Sequence, residues 1–96
     1  MEIIINGLPY KVEIVEEVNL INCVGCFDAE KQLIQIKSSL SKDQRRKTFL
    51  HELAHAYMWC YGFSDVKFNN ETICNFIGVY LEQMYKHLEE FIKAYE

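Results

Sequence analysis

The chain has 96 residues, a length that fits one domain, and 50% of them are hydrophobic and 14% aromatic. This composition excludes a disordered or low-complexity chain and predicts a packed core. Ten Lys and Arg residues against 14 Asp and Glu residues leave a formal net charge of −4, so the broad positive field of non-specific nucleic-acid binders is absent. We therefore expect a single domain over residues 1–96 that does not bind nucleic acid directly.

The sequence shows no signal peptide and no membrane-spanning segment. The opening apolar run is limited to Ile3 to Ile5, which is too short for the apolar core of a signal peptide. The apolar stretches, such as Phe76 to Leu81, are far below the roughly 20 residues that a spanning helix needs. A cytoplasmic location with reduced cysteines is therefore expected.

Four strands are predicted within the first 37 residues. Ile3 to Ile5 and the alternating segment Tyr10 to Ile14 flank Asn6-Gly7, a dipeptide typical of tight hairpin turns. Asn19 to Phe27 and Gln32 to Lys37 form a second predicted pair. These segments predict a small, mostly antiparallel sheet.

The hydrophobic period then changes from two to 3.6, which predicts helices. Ser41 and Gln44 have the spacing of a capping box, so a first helix is expected over about residues 42–61. A loop over residues 63–69 precedes a second helix, which begins near Asn70 as its N-cap and is long. The sequence thus predicts an α+β fold in which a small N-terminal antiparallel sheet of about four strands is followed by two long helices.

The first helix contains His51-Glu52-Leu53-Ala54-His55, an HExxH pattern. Residues four apart lie one helical turn apart and about 40° around the axis, so both imidazoles can reach one ion. Glu52 projects toward the same space, and the spacing is typical of a zinc ion with an open coordination position. The apolar side chains of this helix occupy its other side, so we expect the motif to face a cleft.

We expect a third zinc ligand on the second helix, because catalytic zinc usually has three protein ligands. Glu71 is the candidate, although an acidic residue at a helix start is also explained by compensation of the helix dipole. Asn75 lies one turn after Glu71, where it is placed to orient a ligating histidine.

These residues resemble the ImmA/IrrE family of small zinc metallopeptidases, the DUF955-type proteins of phages and mobile elements. The resemblance rests on residues 48–58, TFLHELAHAYM, and on the Asn-Glu-x-x-Cys-Asn segment over residues 70–75. The larger gluzincin clan likewise combines HExxH with a helix-borne Glu that is followed four residues later by Asp or Asn. An HExxH and Glu zinc site on the two helices is therefore expected.

The resemblance implies that one Zn²⁺ ion is held by His51, His55 and Glu71, with Glu52 as the general base of peptide-bond hydrolysis. It also implies a protein or peptide substrate of the class of repressor-type transcriptional regulators. A peptide is expected to add as a strand to the edge formed by residues 32–37. The alternative is a domain of the same fold that binds zinc, has little or no catalytic activity and acts as an interaction module.

Two further features of the sequence are each consistent with two explanations. The end of the second helix carries either an apolar stripe for a dimer or partner, or a surface covered by the sheet, formed by Leu88, Phe91, Ile92 and Tyr95. The four cysteines, which include the pair Cys23 and Cys26, form either a second zinc site or small buried side chains near a turn.

Overall fold

One four-stranded sheet and two helices form the regular structure of the residues described by the computed structural model, which are 1–64 and 67–96. The elements are β1 (Glu2–Ile5), β2 (Leu8–Val15), β3 (Gly25–Asp28), β4 (Leu33–Lys37), α1 (Lys42–Cys60) and α2 (Asn70–Tyr95). The predicted α+β class and the four strands are confirmed. The predicted loop over residues 63–69 includes residues 65 and 66, which lie outside the described residues.

The strands lie in the order β1-β2-β4-β3. The pairs β1–β2 and β3–β4 are antiparallel as predicted, but β2 and β4 are parallel, so the sheet is mixed. Their register places Val12 beside Ile34 and Ile14 beside Ile36, which aligns apolar residues of the two strands. Since β4 lies between β2 and β3, the expectation that residues 32–37 offer a free edge is wrong. The edge strand on this side is β3.

The segment that leads into β3 is not extended. The predicted strand over residues 19–27 is wrong for residues 19–24, and β3 begins only at Gly25. Asn22 has a φ of 62°, in the left-handed region, which interrupts an extended chain. A turn also forms here, because the Cys23 backbone N–H donates to the Leu20 carbonyl at 3.4 Å. Residues 19–24 therefore form an irregular crossover from β2 to the edge of the sheet.

Two local predictions are confirmed in detail. Asn6 and Gly7 have φ values of 50° and 79°, as the tight hairpin turn between β1 and β2 requires. At the start of α1, the Gln44 backbone N–H donates to Ser41 Oγ at 3.2 Å, and the Ser41 N–H donates to Gln44 Oε1 at 3.1 Å. These reciprocal bonds satisfy N–H groups that lack helical partners and fix the beginning of the helix.

One side of α1 packs against the sheet and forms the core with it. Phe49, Leu53, Ala56 and Tyr57 are 0% exposed. These positions recur at intervals of three and four, which places them on one helical face, as the apolar pattern predicted. The packing fixes the rotation of α1, so His51 and His55 are turned away from the core.

Helix α2 runs antiparallel to α1 and is unbroken over 26 residues. Its N-cap is Asn69, one residue before the predicted Asn70, because Asn69 Oδ1 accepts the Thr72 backbone N–H at 2.9 Å. Its length of about 39 Å matches the longest dimension of the molecule, 37 Å. No helix in the described part of the chain has the length and apolar character needed to cross a membrane.

The last turns of α2 are packed against the rest of the domain. Phe91 is 0% exposed and stacks on Phe49 with ring centroids 4.4 Å apart. The Tyr95 hydroxyl donates to the Val12 carbonyl at 2.7 Å, and the Glu96 carboxylate accepts a bidentate pair from the Arg46 guanidinium. Of the two explanations for this end of the helix, coverage by the domain therefore holds.

The exposed apolar residues of α2 lie between Ile73 and Tyr85 instead. Those spaced four apart are 44–58% exposed: Ile73, Ile77, Leu81 and Tyr85. Residues 73–85 of the helix thus present an apolar surface to solvent.

Candidate metal centre

Helix α1 brings His51, Glu52 and His55 together. One ligand atom from each residue lies within 4.8 Å of the others, and the two imidazole centroids are 4.9 Å apart. Both histidines are exposed, whereas Glu52 is only 8% exposed. This arrangement can bind a metal ion with the imidazoles on the open side and the carboxylate beneath them.

Burial raises the pKa of Glu52 because removal of water disfavours the charged carboxylate. The nearby His51 and His55 act in the opposite direction when they carry positive charge. The net effect is a carboxylate whose pKa lies above its usual value. A carboxylate with a raised pKa is a better proton acceptor near neutral pH than an ordinary one.

The edge strand lies close to α1 at Gly25. A Cβ atom added there would lie 2.5 Å from Thr48 Cγ2, 3.1 Å from Glu52 Cγ and 3.3 Å from Glu52 Oε2. The φ of Gly25 is not positive, so lack of space, and not backbone conformation, requires glycine here. The sequence prediction did not assign Gly25 to the site, although a glycine within a strand often marks a close approach of another group.

We expect Gly25→Ala to lower the free energy of unfolding by about 1–3 kcal/mol, the usual cost of overpacking, and to displace Glu52. Thr48→Ser removes the Cγ2 atom in the shortest contact, so the double variant should recover part of the loss. Chemical denaturation measures both effects. Gly78→Ala is the matched control, because its Cβ would meet nothing within 4 Å and the change should stabilise α2 by about 0.5–1 kcal/mol. Equal stability of the Gly25→Ala variant and the unchanged protein would contradict the close contact.

A cavity of about 640 Å³ lies beside His51 and Glu52. One face of α1 and the crossover segment over residues 20–25 line it. It extends from the motif toward the beginning of α1, and His55 is not among its lining residues. The cleft expected beside the motif is therefore present on the N-terminal side of the histidine pair.

Glu71 and Asn75 are not assembled with this group. Both are exposed, and Glu71 is not a member of the group of ligand atoms found among residues 1–64 and 67–96. The cause lies in the helix pairing, because Tyr80 stacks on Tyr61 at the end of α1. Glu71 precedes Tyr80 by nine residues, which corresponds to about 13 Å along the helix axis. The first turns of α2 therefore extend past the end of α1. Its role as a ligand stays a prediction.

Other candidate side chains lie outside the group. Trp59, one turn after His55, is 57% exposed and therefore does not pack in the core. His87 Nε2 lies 2.9 Å from the Tyr57 hydroxyl, and burial lowers the pKa of this imidazole. The bond between His87 and Tyr57 joins α2 to α1, so both residues are structural.

The cysteines do not form a second metal site in the described residues. All four are free, and the group of metal-capable side chains found there contains no cysteine. Cys23 and Cys74 are exposed, whereas Cys26 is buried in β3. The Cys60 thiol lies 3.1 Å from the Tyr10 hydroxyl, which gives it a structural partner.

Comparison with known proteins identifies the family of this chain. The family model Peptidase_M78, described as the IrrE N-terminal-like domain, matches residues 24–76. No curated protein and no solved structure matches the chain. The matched segment begins beside Gly25, contains the complete HExxH motif and extends through Glu71 into α2. Because it covers more than half of the 96 residues, the chain belongs to the Peptidase_M78 family of IrrE N-terminal-like domains, and the resemblance seen in the sequence is confirmed.

Proposed function

We propose that this domain is a zinc-dependent peptidase that hydrolyses a peptide bond in a protein substrate. The observation that carries the proposal is the position of Glu52. Its side chain is buried, yet it lies against two exposed imidazoles at the end of an open cavity. Burial of a carboxylate is costly for folding, so a chemical role explains this position better than packing does.

The side chains present fit a zinc ion. Two imidazoles one helical turn apart are typical ligands of catalytic zinc, and the third ligand of such sites is often a carboxylate. His51 and His55 would hold the ion, and Glu71, which lies outside their group in the structure, is proposed as the third ligand. When bound, zinc supplies Lewis-acid chemistry: it polarises a carbonyl group and makes water acidic enough to react near neutral pH.

Glu52 moves the proton in this proposal. Its carboxylate accepts a proton from the attacking water and returns it to the nitrogen of the leaving amine, so the enzyme is unchanged after each cycle. The backbone of Gly25 lies against Glu52 and restricts the positions that the carboxylate can adopt.

The free edge of β3 is suited to hold the peptide. The Lys37 backbone N–H donates to the Val24 carbonyl at 2.9 Å, so Val24 is hydrogen-bonded to β4. Because pairing alternates along an antiparallel strand, Gly25 and Phe27 direct their N–H and carbonyl groups to the free edge. A peptide added to this edge would run past Glu52, since Gly25 contacts Glu52.

The substrate class is part of the proposal. We take the substrate to be a repressor-type regulator, as the family resemblance implies. The net charge of −4 supports an action through a protein, because it disfavours direct binding to nucleic acid.

A second candidate function is a zinc-binding interaction module without efficient hydrolysis. The exposed apolar surface of α2 over residues 73–85 favours it, because such surfaces often mark contacts with partners or second copies. This candidate predicts zinc binding and partner capture without cleavage. The two functions therefore differ in one measurable property, cleavage of a peptide bond.

The test is a peptide-cleavage assay on the intact protein. The purified protein is loaded with zinc, its metal content is measured, and it is incubated with unfolded casein and with a peptide mixture from a digested proteome. We expect bound zinc at one ion per chain, with cleavage that is lost on chelation and restored by zinc. A zinc-loaded protein that cleaves no peptide in the mixture would overturn the proposal and favour the interaction module.

The ligand role of Glu71 has its own test. If Glu71 binds zinc, Glu71→Ala should weaken zinc affinity by more than about 100-fold, the upper range for residues that only orient a ligand. Competition with a chromogenic chelator measures the affinity. Glu82→Ala on the same helix is the matched control, because Glu82 is exposed and its carboxylate lies 3.8 Å from the Lys86 ammonium group. Equal zinc affinity of the two variants would exclude Glu71 from the site.

A further inference from the structure

The cavity beside the metal centre has two different walls. One wall is a single face of α1, where Gln44, Lys47 and Thr48 precede His51 and Glu52 at helical spacing. The other wall is the crossover segment over residues 20–25. Both walls therefore lead directly to the carboxylate of Glu52.

Apart from the motif, the cavity is lined mainly by apolar and uncharged side chains. Leu20 and Val24 lie on the crossover segment, and Leu40 lies just before α1. Leu20 and Val24 are 51% and 48% exposed, so a ligand that covered them would remove apolar area from water. The one charged lining residue outside the motif, among those described, is Lys47.

The size and position of the cavity match a side-chain pocket. Its volume of about 640 Å³ lies within the range of pockets that hold small ligands, so a large side chain fits. Alternate side chains of an extended peptide point to the same face of a sheet. A Cβ atom added to Gly25 would point toward α1. Every second side chain of a peptide paired with β3 would therefore also point toward α1.

We propose that this cavity is a specificity pocket for one large apolar side chain, such as Leu, Met or Phe, next to the bond to be cleaved. Lys47 favours an acidic residue elsewhere in the same peptide, because it places an exposed positive charge at the wall. This inference rests on the proposed peptidase function. It assigns to Leu20, Val24, Leu40 and Lys47 the selection of the substrate.

The test measures binding without hydrolysis. The zinc-loaded Glu52→Gln protein is labelled with ¹⁵N and titrated with short acetylated and amidated peptides that differ only in one central residue, Leu or Ala. The Leu peptide should bind about tenfold or more tightly than the Ala peptide, as expected for burial of one large apolar side chain. It should also shift the amide signals of residues 20–25 and 44–48.

Matched variants test which residues of the cavity wall the peptide contacts. Val24→Ser should weaken binding of the Leu peptide about fivefold. Ile21→Ser should leave it unchanged, because Ile21 is on the same segment but is 91% exposed and does not line the cavity. Lys47→Glu should reduce the preference for a peptide that also carries Asp.

Three results would overturn the pocket: equal affinity for the Leu and Ala peptides, shifts confined to other residues, or equal effects of Val24→Ser and Ile21→Ser. The measurement does not depend on catalysis. If the unchanged protein cleaves no peptide while the Leu peptide binds as expected, the peptidase proposal fails and the binding pocket stands. If cleavage occurs without a preference for apolar residues, the pocket fails and the peptidase proposal stands.

Discussion

Glu52→Gln is expected to lower the rate of peptide hydrolysis by about 100- to 10,000-fold, the usual contribution of a general base. The amide has nearly the same shape as the carboxylate but cannot accept the proton of water, so zinc binding through the histidines should persist. Without metal, the variant should unfold at the same temperature as the unchanged protein or at a higher one. Burial of the charged carboxylate costs free energy, as the raised pKa of Glu52 reflects, and the uncharged amide does not carry this cost. Cleavage rates, zinc content and thermal unfolding measure the three effects.

Glu89→Gln serves as the control for Glu52→Gln, because Glu89 is exposed on α2 and is far along the chain from the motif. Its cleavage rate should match that of the unchanged protein. Hydrolysis that survived in the Glu52→Gln variant would remove Glu52 from the reaction. Loss of zinc together with loss of hydrolysis would instead show that Glu52 supports the metal site.

Phe91→Ala is expected to lower the free energy of unfolding by about 3–5 kcal/mol, the range for removal of a buried aromatic side chain. Phe91 is 0% exposed and stacks on Phe49 of α1, so the variant leaves a void between the helices. Since domains of this kind are stable by only about 5–15 kcal/mol, the variant should be close to unfolding at physiological temperature. Urea denaturation followed by far-ultraviolet circular dichroism measures the change.

Tyr85→Ala on the same helix is the control, because Tyr85 is 58% exposed and its removal should change stability by less than about 1 kcal/mol. The comparison distinguishes the packed last turns of α2 from the exposed apolar surface over residues 73–85. If both variants had equally small effects, the last turns of α2 would not be packed on the domain in solution.

The features predicted correctly from the sequence are those set by short-range interactions. The hairpin at Asn6-Gly7 and the capping box of Ser41 depend on residues a few positions apart. The grouping of His51, Glu52 and His55 follows from the helical period alone. Each of these can be predicted because the interacting residues are neighbours along the chain.

The features that the sequence did not predict depend on contacts between distant segments. Parallel pairing of β2 with β4 requires the crossover over residues 19–24 to place β3 on the edge, and nothing in the alternation of β2 indicates which neighbour it takes. The need for glycine at position 25 likewise becomes apparent only when Thr48 and Glu52 lie opposite it. The placement of Glu71 depends on the pairing of α2 with α1, which helical periodicity does not define.

The attachment of the last turn of α2 has a consequence for synthesis of the protein. Phe91 covers Phe49, Tyr95 binds the carbonyl of Val12, and Glu96 pairs with Arg46, so residues 91–96 contact α1 and β2 directly. These contacts join residues up to 83 positions apart. During translation, the helix that carries the histidines therefore lacks these contacts until residues 91–96 have been made. A nascent chain that stops before Phe91 should contain the complete motif without a stably folded metal centre.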